Sequence, residues 1–326
     1  MKTTVRKILD LLGPLLDLVI CIPTFFFCLW MKLVRKLGIS RLPLVRRVFR
    51  ATGIFPIKDH YYEPLFNTKR LKHSLRDDRA LPGIQWNLNA QKQMMQSFCY
   101  QKEILNIQTQ QGSPLKYSFE NDTFRAGDSE YLYNLIRHLK PRKMIEIGSG
   151  NSTLMAITAV RQNQQEDANY KVDHICIEPF ERPWLEKLDI KLIRKLVEDV
   201  DLSVFQSLEK NDILFIDSSH IIRPQGDVLF EYLQILPSLK PGVFIHVHDI
   251  FSPKDYLSAW IEKDMKLWNE QYLLEAFLSN NHDFEIVGAL NFLKYKSSQE
   301  LSECCPVFGK NPKEFEPGSF WIKKIH

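Results

Sequence analysis

The segment Lys143-Met-Ile-Glu-Ile-Gly-Ser-Gly-Asn-Ser-Thr-Leu154 constrains the fold more than any other. A short apolar strand runs into a Gly-Ser-Gly turn and straight on into a helical run over Ser152–Arg161. The same rhythm continues downstream. A helix over Ser129–Leu139 precedes the strand through Pro141. After it come the strand Asp173–Glu178, a helical piece at Trp184–Lys187, and a weak strand near Leu192–Val197. The strand Asp212–Asp217 leads to a helix over Gly226–Leu236, and Gly242–Asp249 leads to helices across roughly 256–281. Phe284–Phe292 and Gly318–Ile325 read as two last strands, an antiparallel edge after the final helix. Apolar strands alternating with helices imply an α/β fold: a Rossmann-like, doubly wound, mostly parallel seven-stranded sheet covered on both faces.

Sheets of this kind bind ligands beyond the carboxyl ends of their strands. Unusual polar residues collect at those ends here: Glu146 and Gly148-Ser149-Gly150, then Glu178, then Asp217 and His220, then His246, His248 and Asp249. Gly148 to Thr153 spells GxGxxT, without the third glycine of a dinucleotide fingerprint, which weakens the case for a pyrophosphate. Glu178, at the tip of the next strand, is placed to accept both hydroxyls of a ribose, so loop and carboxylate together describe a nucleoside site. The plainer reading is a tight turn with Ser152 as helix N-cap.

Asp217, His220, His248 and Asp249 are the candidate catalytic residues. A histidine there suits a general base, and Asp217 with Asp249 suits a hard divalent cation such as Mg. His246 and His248 alternate along one strand and share a face; His246 reads as a core histidine or as a substrate contact.

The chain divides by composition into three: an apolar and basic segment over 1–55, an accessory cap over 56–125, and the α/β domain over 126–326. Residues 1–50 hold ten Lys and Arg against Asp10 and Asp17, a net of +8, which leaves −4 on the rest. Positive charge confined to one terminus argues against a nucleic-acid-binding body. Leu18–Met31 carries no charge, but a straight span needs about 20 apolar residues, and Pro14 and Pro23 interrupt helix bonding. The expectation is therefore a bent or re-entrant hairpin in one leaflet, on the cytoplasmic side, with a single span as the alternative. The basic stretch that follows would lie on the membrane surface. Packing on a second copy is the plainer use of this arm, so a homo-oligomer is open. Six cysteines without metal-ligand spacing imply a reducing compartment.

EIGSGNSTL (146–154), ICIEP (175–179), DILFIDSSH (212–220) and HVHDIFSPKDY (246–256) together resemble class I S-adenosylmethionine-dependent methyltransferases. They more closely resemble a bacterial subgroup often found among cell-surface glycan genes. The similarity also takes in HYYEPLF (60–66), ENDTFRAGDSEY (120–131), WNEQYLLEAFLSNN (268–281) and GSFWIKK (318–324). It implies S-adenosyl-L-methionine along Gly148, Ser149 and Gly150, backed by Ser152 and Thr153, with Glu178 on the ribose. Glu146 or the Asn121/Asp128 segment would lie near the methionine end, and Glu198 with Asp199 near the adenine. Metal-dependent relatives would place acidic ligands at Asp217 and Asp249, although His248 stands where a second acid often does. The implied acceptor is a sugar hydroxyl of a glycan or glycolipid, with Tyr61 and Tyr62 as aromatic walls. Three rivals remain: a nicotinamide-dependent oxidoreductase, a non-catalytic nucleoside-binding protein at the membrane, and an iron hydroxylase using two histidines and one carboxylate.

Overall fold

The computed structural model describes residues 2–109, 115–180 and 182–326. They form two compact units, Met1–Lys72 and His73–His326.

In the first unit, α1 (Lys2–Leu37) is one continuous helix, followed by α2 (Pro43–Thr52). The expected hairpin is thus corrected to one unbroken helix that carries Pro14 and Pro23 within it. A helix apolar on all sides has no face to fold back upon. Thr24 supplies a further bond in the second proline's turn, its Oγ1 donating to the Ile20 carbonyl at 2.8 Å. The stretch Leu12–Leu37 is long and apolar enough to cross a membrane by length and composition. At 1.5 Å per residue its 26 residues reach about 39 Å, beyond a hydrocarbon core of about 30 Å.

The second unit opens with α3 (Leu88–Gln96), α4 (Gln101–Thr109) and α5 (Asp128–Leu139). The strands are β1 (Lys143–Ile147), β2 (Asp173–Ile177), β3 (Lys191–Ile193), β4 (Ile213–Ile216), β5 (Phe244–Val247), β6 (Phe284–Ala289) and β7 (Phe320–Lys324). Their order is β3-β2-β1-β4-β5-β7-β6. The first five run parallel, and β7 lies antiparallel between β5 and β6. The chain reverses strand order on either side of β1, so the β1/β4 boundary is the switch point where ligands bind.

Alternate residues of the central strands feed two cores. Met144, Phe215, Phe244 and Trp321 pack under α5 and α6 (Asn151–Glu166), while Ile145, Leu214, Ile245 and Ile322 pack against the helices on the opposite face. Both faces are buried, which explains strands that read as unbroken apolar runs.

Two further expectations change. The strand that the sequence carries on to Phe292 stops at Ala289, and helices Leu290–Lys296, Ser298–Cys304 and Pro306–Lys310 separate β6 from β7. Leu290, Leu293, Leu301, Cys304, Cys305 and Phe308 are all buried, and their three- and four-residue spacings mark the helical face.

Candidate active site

The glycine loop is built by a strand tip that must pass very close to its neighbour. Gly148 sits at φ +77°, and a Cβ there would overlap the Asp217 carbonyl oxygen at the tip of β4. Only glycine meets both demands at low cost. Ser149 N–H donates to Glu178 Oε2 at 3.2 Å, and Phe180 N–H to Glu178 Oε1 at 3.1 Å. Backbone thus holds the Glu178 carboxylate at the loop, with lone pairs to spare.

A chain of hydrogen bonds supports the loop from below. Gly150 N–H donates to Thr153 Oγ1 at 3.0 Å, and that hydroxyl donates to Glu146 Oε2 at 2.6 Å. The other Glu146 oxygen meets His174 Nε2 at 2.9 Å. Glu146 is fully buried with both oxygens taken, so it braces the turn from within the sheet and does not face a ligand. Burial opposes a charge on His174, but the adjoining Cys176 sulfur and Glu146 carboxylate outweigh it and raise its pKa to about 10. Ser152 is buried in the first turn of α6.

A cavity of about 230 Å³ opens above this loop, lined by Gly148, Glu178, Phe180, Val197, Glu198 and Asp217, among others. Glu198 points a buried, unpartnered Oε2 within this lining, whereas Asp199 is exposed and does not line the cavity.

At the tip of β4, beside Gly148, Asp217 meets a second set of groups. Asp217, His220 and Asp249 bring one donor atom each within 4.8 Å of one another. His220 Nδ1 bonds Glu270 Oε2 at 2.8 Å, while Nε2 faces Asp217 Oδ1 at 3.3 Å and Asp249 Oδ2 at 3.6 Å. Burial works against charge on His220, yet Asp217 and Glu270 hold its pKa well above the ordinary value. Burial likewise opposes ionisation of Asp217, and His248 and His220 reverse that and keep its pKa low. His220 (φ +61°) and Asp249 (φ +58°) both adopt the left-handed conformation, a strain of about 1–3 kcal/mol each that persists where surroundings fix a site.

The group fits a divalent cation in its donor chemistry. A carboxylate on Nδ1 fixes the histidine tautomer and leaves Nε2 to face two carboxylate oxygens, the outer-partner pattern of metal-binding histidines. The set that converges at Asp217 is one histidine and two carboxylates, not the two histidines and one carboxylate of an iron hydroxylase.

His248 lies beside this group, its Nε2 3.6 Å from Asp249 Oδ1 and its Nδ1 buried without a partner. His246 is corrected as a substrate contact. It is fully buried, stacked on Phe215 at 3.9 Å, and bonded to Ser319 Oγ at 2.9 Å. Burial drives its pKa well below the ordinary value, so it is a neutral core residue. Tyr61 and Tyr62 belong to the first unit, 91% and 85% exposed, with rings edge to face at 5.0 Å.

Glu270 and His174 escaped sequence reasoning, and Asp128 was read only as part of the segment near the methionine end. Glu270 starts a helix rather than ending a strand, and His174 lies at the start of β2. Asp128 accepts Ser319 N–H at 2.7 Å from a segment 191 residues away, a pairing no local pattern announces.

Residues 145–250 match a family model described as a methyltransferase domain. The matched residues span β1 to β5 of the sheet. An uncharacterized protein of Archaeoglobus fulgidus is 29% identical over 173 residues, covering 49% of this chain and 76% of the relative. Among solved structures, an O-methyltransferase from Bacillus cereus in complex with SAH is 12% identical with a TM-score of 0.36, covering 73% of this chain and 91% of that one. A putative O-methyltransferase from Klebsiella pneumoniae is 13% identical with a TM-score of 0.38, covering 72% and 99%. The strand order, rather than these likenesses, carries the fold.

Proposed function

We propose that this chain transfers a methyl group from S-adenosyl-L-methionine to a hydroxyl of a glycan or glycolipid at the cytoplasmic face of a membrane. The observation that carries the transfer is the cavity itself. A glycine loop held on Glu178, with an unpartnered Glu198 carboxylate within its lining, opens directly onto Asp217 and its partners. Glu178 suits the ribose hydroxyls, and Phe180, Leu196 and Val197 suit the adenine faces.

In the reaction, an acceptor oxygen forms a bond to the methyl carbon as the carbon–sulfur bond breaks, its electron pair passing to sulfur. The hydroxyl proton leaves to a base. The chain's task is to align the two in line and exclude water, worth about 7–11 kcal/mol of barrier when fully realised. His248, with its free buried Nδ1, is the better placed base, because His220 is clamped between Glu270 and Asp217. A divalent cation held by Asp217, His220 and Asp249 would lower the pKa of the acceptor hydroxyl.

Membrane attachment is supported by α1. Seven basic residues follow the uncharged run Leu18–Met31, from Lys32 to Arg50, and basic flanks stay on the cytoplasmic side. The test is turnover to S-adenosylhomocysteine with a membrane glycolipid extract, with and without chelator. Methyl transfer to a sugar oxygen supports the proposal, loss on chelation assigns the cation, and transfer to nitrogen or to protein overturns the acceptor.

A further inference from the structure

Asp217 lines the cavity described above, and Asp249 lines a second one of about 310 Å³. The two carboxylates belong to one cluster, so the cluster stands between the two spaces. The second cavity draws its walls from three stretches far apart in sequence: 122–128, 248–260 and 314–318.

Its chemistry is one-sided. Asp122, Asp128, Asp249, Glu314 and Glu316 line it against Arg125, its one Lys or Arg. Arg125 is already engaged, 3.4 Å from Glu314 and stacked over Phe315 at 4.8 Å. Glu316 is matched by Lys294 at 2.7 Å and Arg76 at 3.2 Å. Asp122 is exposed and has no ion pair among the described residues, so its carboxylate can accept from a ligand. Trp260, buttressed edge to face by Phe251 at 5.3 Å, supplies an aromatic wall. The independent mark of a ligand is His248, which lines the cavity, is 5% exposed, and has a buried Nδ1 with no partner. A buried polar atom left without a partner asks for one from outside.

The geometry points to this second cavity as the acceptor site, shaped for one non-anionic glycosyl unit. Aromatic faces pack against the C–H face of a sugar ring, and carboxylates accept its hydroxyls. A uronic acid or sugar phosphate would meet like charge along Asp122, Asp128, Glu314 and Glu316, which discriminates against anions. The inference rests on the proposed methyl transfer for its role, while the sugar-binding chemistry of the cavity stands by itself.

The test uses the full chain in detergent, with methyl β-D-glucopyranoside and methyl β-D-glucuronide as probes followed by saturation-transfer NMR. The neutral glucoside should bind at least tenfold more tightly than the glucuronide. Trp260→Ala should weaken the glucoside at least tenfold, and Asp122→Lys, at an exposed position, should bring the two probes within threefold. Each variant's binding of S-adenosylmethionine, measured by calorimetry, reports that it is folded. Equal or reversed preference, no binding of either probe, or glucoside binding indifferent to Trp260→Ala overturns the inference. Glucoside binding without cofactor binding overturns the methyl-transfer reading and leaves the sugar site standing.

Discussion

The two cavities that meet at Asp217 and Asp249 are built in opposite ways. The first is made by neighbours in one motif: a strand tip, a glycine turn and the next strand tip, with backbone N–H groups setting the position of Glu178. The second is made by side chains from three distant segments, and its shape depends on contacts such as Asp128 with the Ser319 N–H. Backbone geometry is costly to change, so the first cavity suits a constant ligand. Side-chain walls change one residue at a time, so the second suits a ligand that differs among proteins of this fold.

If that contrast is right, the largest effect belongs to the shared cluster. Asp217→Asn should lower single-turnover methyl transfer by about 100- to 10,000-fold, with cofactor affinity little changed. A large loss of cofactor binding in calorimetry would instead assign Asp217 to the donor side alone.

The brace beneath the first cavity comes next. His174→Leu strands a buried Glu146 carboxylate and should destabilise the second unit by about 3–5 kcal/mol in denaturant unfolding. Its pH dependence has a definite sign. The folded pKa is raised from 6.5 to about 10, so this contribution is complete below 6.5 and is lost as pH rises through about 10. The variant should lack that slope, and a wild-type slope retained in it would assign the titration elsewhere.

Gly148→Val should destabilise by about 3 kcal/mol and abolish cofactor binding, because the new side chain meets both a positive φ and the Asp217 carbonyl. Smallest of all, Glu198→Ala should weaken the cofactor by about tenfold, near the 1.4 kcal/mol of one hydrogen bond to a charged group. Asp199→Ala, outside the lining, should leave it within threefold, and the reverse order in calorimetry would move the adenine end.

The same contrast explains what was legible in the chain. The first cavity could be read because its residues are consecutive: Gly148 needs a left-handed turn, and Glu178 closes the next strand. The sheet was legible because both faces of β1, β4 and β5 are buried. The acceptor wall was not legible, because Asp122, Trp260 and Glu314 meet only after the chain has folded. His246 shares strand and face with His248, and only the Phe215 ring and Ser319 hydroxyl distinguish its core position. The continuity of α1 through two prolines was hidden because proline argues locally for a break.

The central claim is that the loop at Gly148–Gly150 and Glu178 holds S-adenosylmethionine. Titration calorimetry of the full chain in detergent against S-adenosylmethionine and NAD tests it most directly. The account predicts one equivalent of S-adenosylmethionine bound in the micromolar range, no heat from NAD, and loss of binding in Gly148→Val. NAD binding, or S-adenosylmethionine binding that survives Gly148→Val unchanged, would contradict it.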